Sequence, residues 1–184
     1  MDGKHRRPSD PDYDPTSIYV PHHEWQSFTG SMVQYWQIKE KNYDKIVFFK
    51  LGKFYEIFYN DAILCNRELD LAWMSKDKKL HVGFPEKMLD KYIQVLVDMG
   101  HKIAVVEQTE TTKEAAKRVD DSYGARAKQA RGTDKVVKRE IFGIFTKGTH
   151  VGGVQGYEPS YVMGIMKDGD MIAVCYFDVS TSNC

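Results

Sequence analysis

The residues best suited to chemistry lie in one stretch, Lys50-Leu51-Gly52-Lys53-Phe54-Tyr55-Glu56-Ile57-Phe58-Tyr59. Gly52 interrupts a hydrophobic strand. A glycine inside a strand pattern marks a bulge or a close backbone approach, which re-aims the next residues away from the sheet. On an extended segment Phe54 and Glu56 share one face and Tyr55 takes the other. A surface Phe beside a carboxylate suits insertion of an aromatic between bases, with one polar group offered to the base it meets. The plainer alternative is an amphipathic edge strand with Phe54 in the core.

Other reactive residue types are poorly grouped. Glu107, Gln108 and Glu110 offer two carboxylates, but no nucleophile, metal set or apolar pocket signal accompanies them, so acid-base catalysis is set aside. His22-His23-Glu24 lacks a cysteine or second acid at ligand spacing and reads as a solvated lead-in. Cys65, Cys175 and Cys184 form no CxxC pair and are expected to be small buried hydrophobes in a reducing compartment. The basic turn Ser75-Lys76-Asp77-Lys78-Lys79 is either a solvated loop or a place where a phosphate backbone is held, and Lys53 is a further candidate for that role.

The elements that must position these residues emerge from periodicity. Residues 1–18, with Pro8, Pro11 and Pro15 among charges, read as a flexible leader. Thr29 is a plausible N-cap for a helix over about 32–41, with Met32, Tyr35, Trp36 and Ile38 as its apolar face. Lys45 to Leu51 reads as a buried strand, succeeded after the Gly52 stretch by a helix over about 60–69 and strands at 71–74 and 80–84. Met88, Leu89, Tyr92, Ile93, Leu96 and Met99 recur at helical steps up to Gly100, and 102–107 is the next strand.

Residues 111–139 carry nine basic residues, among them Arg118, Lys138 and Arg139, with a short helix expected over 112–118 and a last strand over 136–145. Glycines at 148, 152, 153 and 156 mark a linker over 150–160, and 161–166 with 171–179 read as a β-hairpin. The fold class is α/β, a mixed β-sheet flanked by helices. Two strands alone cannot build a core, so the hairpin is expected to open a second domain.

Of the 184 residues 42% are hydrophobic, enough for a globular core, and 26 basic residues balance 26 acidic ones. No global field therefore draws the chain onto nucleic acid, and any DNA contact must come from local patches and shape. No run is apolar and long enough for a bilayer span, and the N-terminus is polar, unlike a secretory leader.

Taken in order, Gly52-Lys53-Phe54-Tyr55-Glu56, Asp61-Ala62, Gly83-Phe84-Pro85-Glu86, Val105-Val106-Glu107-Gln108-Thr109-Glu110 and Val136-Val137-Lys138-Arg139-Glu140-Ile141 leading to Thr146-Lys147-Gly148-Thr149 resemble the N-terminal mismatch-recognition domain of MutS proteins. Lys53 and Phe84-Pro85-Glu86 look most like the mismatch-reading subunit of the eukaryotic MutS-alpha heterodimer. The resemblance covers about 19–149, and the hairpin looks like the start of that family's connector domain.

The resemblance implies that Phe54 enters the minor groove and stacks on a mispaired base, that Glu56 hydrogen-bonds that base, and that Leu51 is a neighbouring apolar contact. Most base-edge positions that Glu56 would meet are acceptors, so its carboxyl is expected to carry a proton in the complex. It also implies double-stranded DNA with mismatches or small loops as ligand, a second MutS-type subunit as partner and a nuclear location. ATP and Mg belong to the family's ATPase domain, whose Gly-x-x-x-x-Gly-Lys-Ser/Thr loop does not occur in this sequence, so no cofactor and no enzyme activity are expected of it. A protein-interaction module, or a small α/β enzyme without a recognisable site, is the alternative.

Overall fold

Two largely apolar runs, Ile46–Leu51 (β1) and Ile103–Gln108 (β5), lie parallel and adjacent at the centre of a sheet, as expected of strands covered on both faces. The computed structural model describes residues 1–75, 79–123, 134–149, 161–169 and 171–178. Around the central pair, β2 (Phe54–Phe58), β4 (His81–Pro85) and β3 (Trp73–Ser75) extend one side and β6 (Arg139–Phe145) the other, in the order β3-β4-β2-β1-β5-β6. All these further pairings are antiparallel, so the sheet is mixed and the fold is α/β as the pattern implied.

Helices close both faces of the sheet. Helices α3 (Tyr59–Leu69) and α4 (Leu89–Asp98) place Ala62, Cys65, Ile93 and Leu96 against Phe48, Tyr55, Ile57 and Phe84. On the other face α2 (Gly30–Lys39) lays Met32 and Tyr35 on Val47, Phe49, Phe58, Ala104 and Val106. Tyr35 is wholly buried, with Trp36, Phe49, Phe58 and Tyr59 rings around it at 5.0 to 6.2 Å. The remaining α-helices among the described residues are the single turn α1 (His22–Trp25) and α5 (Thr112–Tyr123), which is longer than its periodicity suggested.

One buried ion pair joins the pieces. The Lys39 ammonium lies 2.8 Å from both Asp61 oxygens and donates to the Lys45 carbonyl at 2.6 Å, while Asp61 accepts the Val47 N–H at 3.0 Å. These bonds fix the end of α2, the first turn of α3 and the start of β1 to one another. Burial pushes the Asp61 carboxyl up, and Lys39 and the Val47 N–H pull against that rise.

Three expectations differ from what is observed. Gly52 does not bulge out of the sheet: it adopts φ +62° in a two-residue turn with Lys53, and Leu51 pairs directly with Phe54. Glycine first, followed by a residue of negative φ, is the pattern of a type II′ hairpin, whose twist suits two strands of one sheet. Cys175 is exposed on β8 (Met171–Asp178), whereas Cys65 is buried; Cys184 lies outside the described residues.

Residues 1–18, expected to be a flexible leader, form turns gathered round the buried Asp2 carboxylate, which accepts from the backbone of Lys4, Arg6 and Asp14 and from the Arg6 guanidinium. Aspartate and proline build turns as readily as they prevent helices. The linker expected over 150–160 lies outside the described residues. Beyond it β7 (Tyr161–Asp168) and β8 pair as a separate antiparallel hairpin, with Met163, Ile165, Met171, Ile172 and Tyr176 exposed.

Replacing Asp61 by Ala strands a buried ammonium and is expected to cost about 3–5 kcal/mol in urea unfolding. The pair Lys39→Met with Asp61→Leu should recover most of that loss. For Asp2, burial acts to raise the carboxyl, but the hydrogen bonds from Asp14, Arg6 and Lys4 hold it well below the ordinary 3.8. A depressed pKa stabilises above the ordinary value and ceases to do so as pH falls through the lowered one. Protection of the Lys4, Arg6 and Asp14 amides, relative to their intrinsic exchange rates, should therefore be high at neutral pH and fall on strong acidification, and Asp2→Asn should lower it at neutral pH.

Candidate nucleic-acid interface

The β1–β2 turn presents Phe54 as the first residue of its second strand, with 44% of its surface exposed. Alternation along β2 then places Tyr55 and Ile57 on the α3–α4 face and Phe54, Glu56 and Phe58 on the α2 face. Helix α2 covers Phe58 and Phe49, and this cover ends before Phe54. Leu51, the direct cross-strand partner of Phe54, is partly buried at the margin of the same cluster, and Lys53 is exposed in the turn. The structure thus brings Leu51, Lys53, Phe54 and Glu56 to one end of the sheet.

Glu56 lies between Phe49 of β1 and Gly83 of β4 in register. A Cβ at position 83 would meet the Met74 sulfur at 2.8 Å, the Tyr55 carbonyl at 3.0 Å and the Glu56 Cγ at 3.5 Å. Glycine there lets the Met74 thioether lie over the sheet beside Glu56. Two residues further along β4, Pro85 pairs with Phe54, and the Glu86 N–H donates to the Lys53 carbonyl at 2.9 Å, tying the turn to β4.

The opposite face holds β2 in place. Tyr55 is buried, its hydroxyl donates to Glu107 and its ring packs on Phe84, while the Lys50 ammonium sits 4.4 Å from its centroid. Burial first, and then the Glu107 carboxylate, push the Tyr55 hydroxyl well above its ordinary value, so it remains a neutral donor. Lys50 is itself paired with Glu86 at 2.6 Å. Glu107, one of the two carboxylates weighed for catalysis, therefore serves this anchor. Glu110, the other, takes a two-pronged contact from Arg118 at 2.7 and 3.0 Å.

The basic residues divide in an unexpected way. Arg139 donates to the Lys50 carbonyl at 2.6 Å and lies over the Phe49 ring at 5.2 Å, clamping the hairpin to β6 from within; burial lowers its pKa. Arg118 also donates to the Asp134 and Val136 carbonyls. Neither is a free surface cation. Lys79 sits at the other end of β2 from Phe54, its ammonium 4.8 Å from the Phe58 centroid and 3.8 Å from the Met32 sulfur. There it lines a groove of about 800 Å³ with Phe28, Trp36 and Tyr59. Lys76 and Lys78 lie outside the described residues.

Sequence reasoning missed His81. Its Nε2 is 3.8 Å from Glu56 Oε2 and its Nδ1 is 3.2 Å from the Lys79 carbonyl. Only the register of β4 on β2 reveals that it shares the Glu56 face, because His81 pairs with Phe58 and lies diagonal to Glu56. None of the described strand-to-helix junctions forms a glycine-rich phosphate loop, and β2 enters α3 through Phe58 and Tyr59.

Comparison with known proteins matches residues 29–153 to the family described as MutS domain I. The DNA mismatch repair protein MSH6 of Arabidopsis thaliana is 40% identical over 98% of this chain, and the match spans 14% of that protein. The human DNA mismatch repair protein Msh6 is 40% identical over 86% of this chain and 11% of its own length. A bacterial relative, the DNA mismatch repair protein MutS of Staphylococcus carnosus, is 34% identical over 83% of this chain and 16% of its own length. With the Phe54–Glu56 hairpin and the mixed sheet lying inside the matched region, this chain belongs to the MutS domain I family.

Proposed function

We propose that this chain reads mispaired or looped bases in double-stranded DNA, with Phe54 as the wedge and Glu56 as the hydrogen-bonding group. The observation that carries the reading is the display of an exposed Phe and a carboxylate on one strand face, at the end of a sheet that α2 leaves bare, in a MutS domain I chain. A mismatch stacks poorly and kinks easily, so inserting Phe54 costs less there than in intact duplex, where unstacking costs about a few kcal/mol per step. Selectivity then comes from deformability more than from base identity. Leu51 backs the wedge from the neighbouring strand, and exposed Lys53 is placed to meet a phosphate.

Glu56 meets the base as a carboxylic acid that donates its proton to a base acceptor. An ionised carboxylate would face both the phosphates and most base-edge acceptors unfavourably. The chain acts as a binding unit of a larger nuclear repair protein working with a second MutS-type subunit; ATP hydrolysis belongs to another part of that protein. Among the described residues no helix is long and apolar enough to cross a membrane.

In fluorescence anisotropy with duplexes carrying a G·T mispair, a one-base loop or no defect, the chain should prefer the two defective duplexes. Phe54→Ala should lose about 1–3 kcal/mol of that preference, the usual worth of one base-aromatic stack. Equal affinity of the folded wild-type chain for all three duplexes contradicts the reading. Glu56→Gln keeps an N–H donor at the base and should retain part of the preference; complete loss at every pH would contradict a donating carboxyl. Affinity should also fall steeply with added salt, whereas salt-independent binding would favour a protein-interaction surface.

A further inference from the structure

We propose that His81 is the proton partner of Glu56, delivering the proton with which Glu56 meets a mispaired base. The inference rests on the mismatch reading and adds to it a residue that touches no base. Glu56 and His81 project from neighbouring strands onto one face, with 18% and 16% of their side chains exposed, and Glu56 Oε2 lies 3.8 Å from His81 Nε2. That is an ion-pair contact whenever the imidazole carries its second proton, and an approach of about 1 Å completes a hydrogen bond.

The other ring nitrogen fixes the chemistry of the first. Nδ1 lies 3.2 Å from the Lys79 carbonyl, which can only accept, so Nδ1 carries a hydrogen whether the ring is neutral or charged. Nε2 is therefore the nitrogen that gains and loses a proton, and it is the one facing the carboxylate. The Phe58 ring, 5.7 Å from the imidazole, occupies the other side and holds the ring in this setting.

The transfer is a balanced proton shift. With a proton from solvent on Nε2, the imidazolium faces the Glu56 carboxylate. When phosphates and a base acceptor close over the site, the Nε2–H bond breaks, its electron pair stays on nitrogen, and an O–H bond forms on Glu56. The terminal torsion of a Glu side chain is broad and two-fold, so rotation turns the protonated oxygen from His81 to the base. His81 is left neutral, still donating from Nδ1 to the Lys79 carbonyl.

The other described titratable groups on this face make contacts of their own. Lys79 lies over Phe58 and Arg139 over Phe49. Tyr59 packs beside Phe58, and Lys39 and Asp61 are held by each other. The described residues of β3, Trp73 to Ser75, bring no charge to it.

The test is the mismatch-over-homoduplex affinity ratio of the chain between about pH 5.5 and 8.5, where imidazole titrates. Because the complex holds a proton that the unbound chain lacks above the imidazole range, the wild-type ratio should rise as pH falls, approaching about tenfold per pH unit, and level off once His81 holds that proton beforehand. His81→Gln has no imidazole to hold the proton beforehand, so its ratio should keep rising into the carboxyl range, below the pH at which the wild-type ratio levels off. A His81→Gln profile that superimposes on wild type, while Phe54→Ala abolishes the preference, overturns the role of His81 and leaves the mismatch reading standing.

If Phe54→Ala and Glu56→Gln also match wild type, the mismatch reading fails and takes this inference with it. A second readout needs neither DNA nor a His81 variant. By NMR, the His81 ring titration of the free chain should move to lower pH in Glu56→Gln, since an opposing carboxylate favours the imidazolium. An unmoved titration overturns the proposal.

Discussion

Everything displayed on the bare end of β2 depends on Tyr55 being held on the opposite face. Its hydroxyl is bound by Glu107, its ring lies against Phe84, and the Lys50 ammonium closes over it. Side chains of a strand alternate, so anchoring Tyr55 inward forces Phe54 and Glu56 outward together. A slip of one residue would reverse the arrangement, exposing Tyr55 and burying the carboxylate. The Gly52-Lys53 turn and the bond from the Glu86 N–H to the Lys53 carbonyl set the register against such a slip. Rigidity under the tip is what a wedge requires, since a side chain that must unstack bases loses its advantage if it yields first.

Charge is arranged to the same end. With 26 basic and 26 acidic residues there is no net field, and two arginines of the basic segment face inward: Arg118 onto Glu110 and Arg139 onto the Lys50 carbonyl and the Phe49 ring. They stiffen the β5–β6 side of the sheet instead of presenting charge to a phosphate backbone. Exposed Lys53 stands beside Phe54. Such a surface favours discrimination by shape over strong non-specific attraction.

Much of this was legible in the sequence because the local patterns agreed with the tertiary result. The largely apolar runs at 45–51 and 102–107 marked strands, the three- and four-residue steps from Met88 to Met99 marked a helix, and the two-residue spacing of Phe54 and Glu56 placed them on one face. What was not legible depended on pairing between distant segments. Gly52 signals a bulge or a turn equally well until β1 is seen to pair with β2. His81 is an ordinary strand residue until the β2–β4 register sets it diagonal to Glu56. Asp2, Asp61 and Glu107 look like surface acids, yet each finds its partners several to 52 residues away. Composition registers charge but not the burial that a specific partner permits.

The central claim is that the face bearing Phe54 and Glu56 is the surface that meets a mispair, and intermolecular NMR contacts test it most directly. In a complex with a G·T duplex, the Phe54 ring protons should show contacts to minor-groove sugar and base protons at the mispair, and amide shifts should cluster at residues 51–56 and 81–85. A Phe54 ring without contact to DNA, with shifts gathered instead on α5 or the outer edge of β6, would contradict the account.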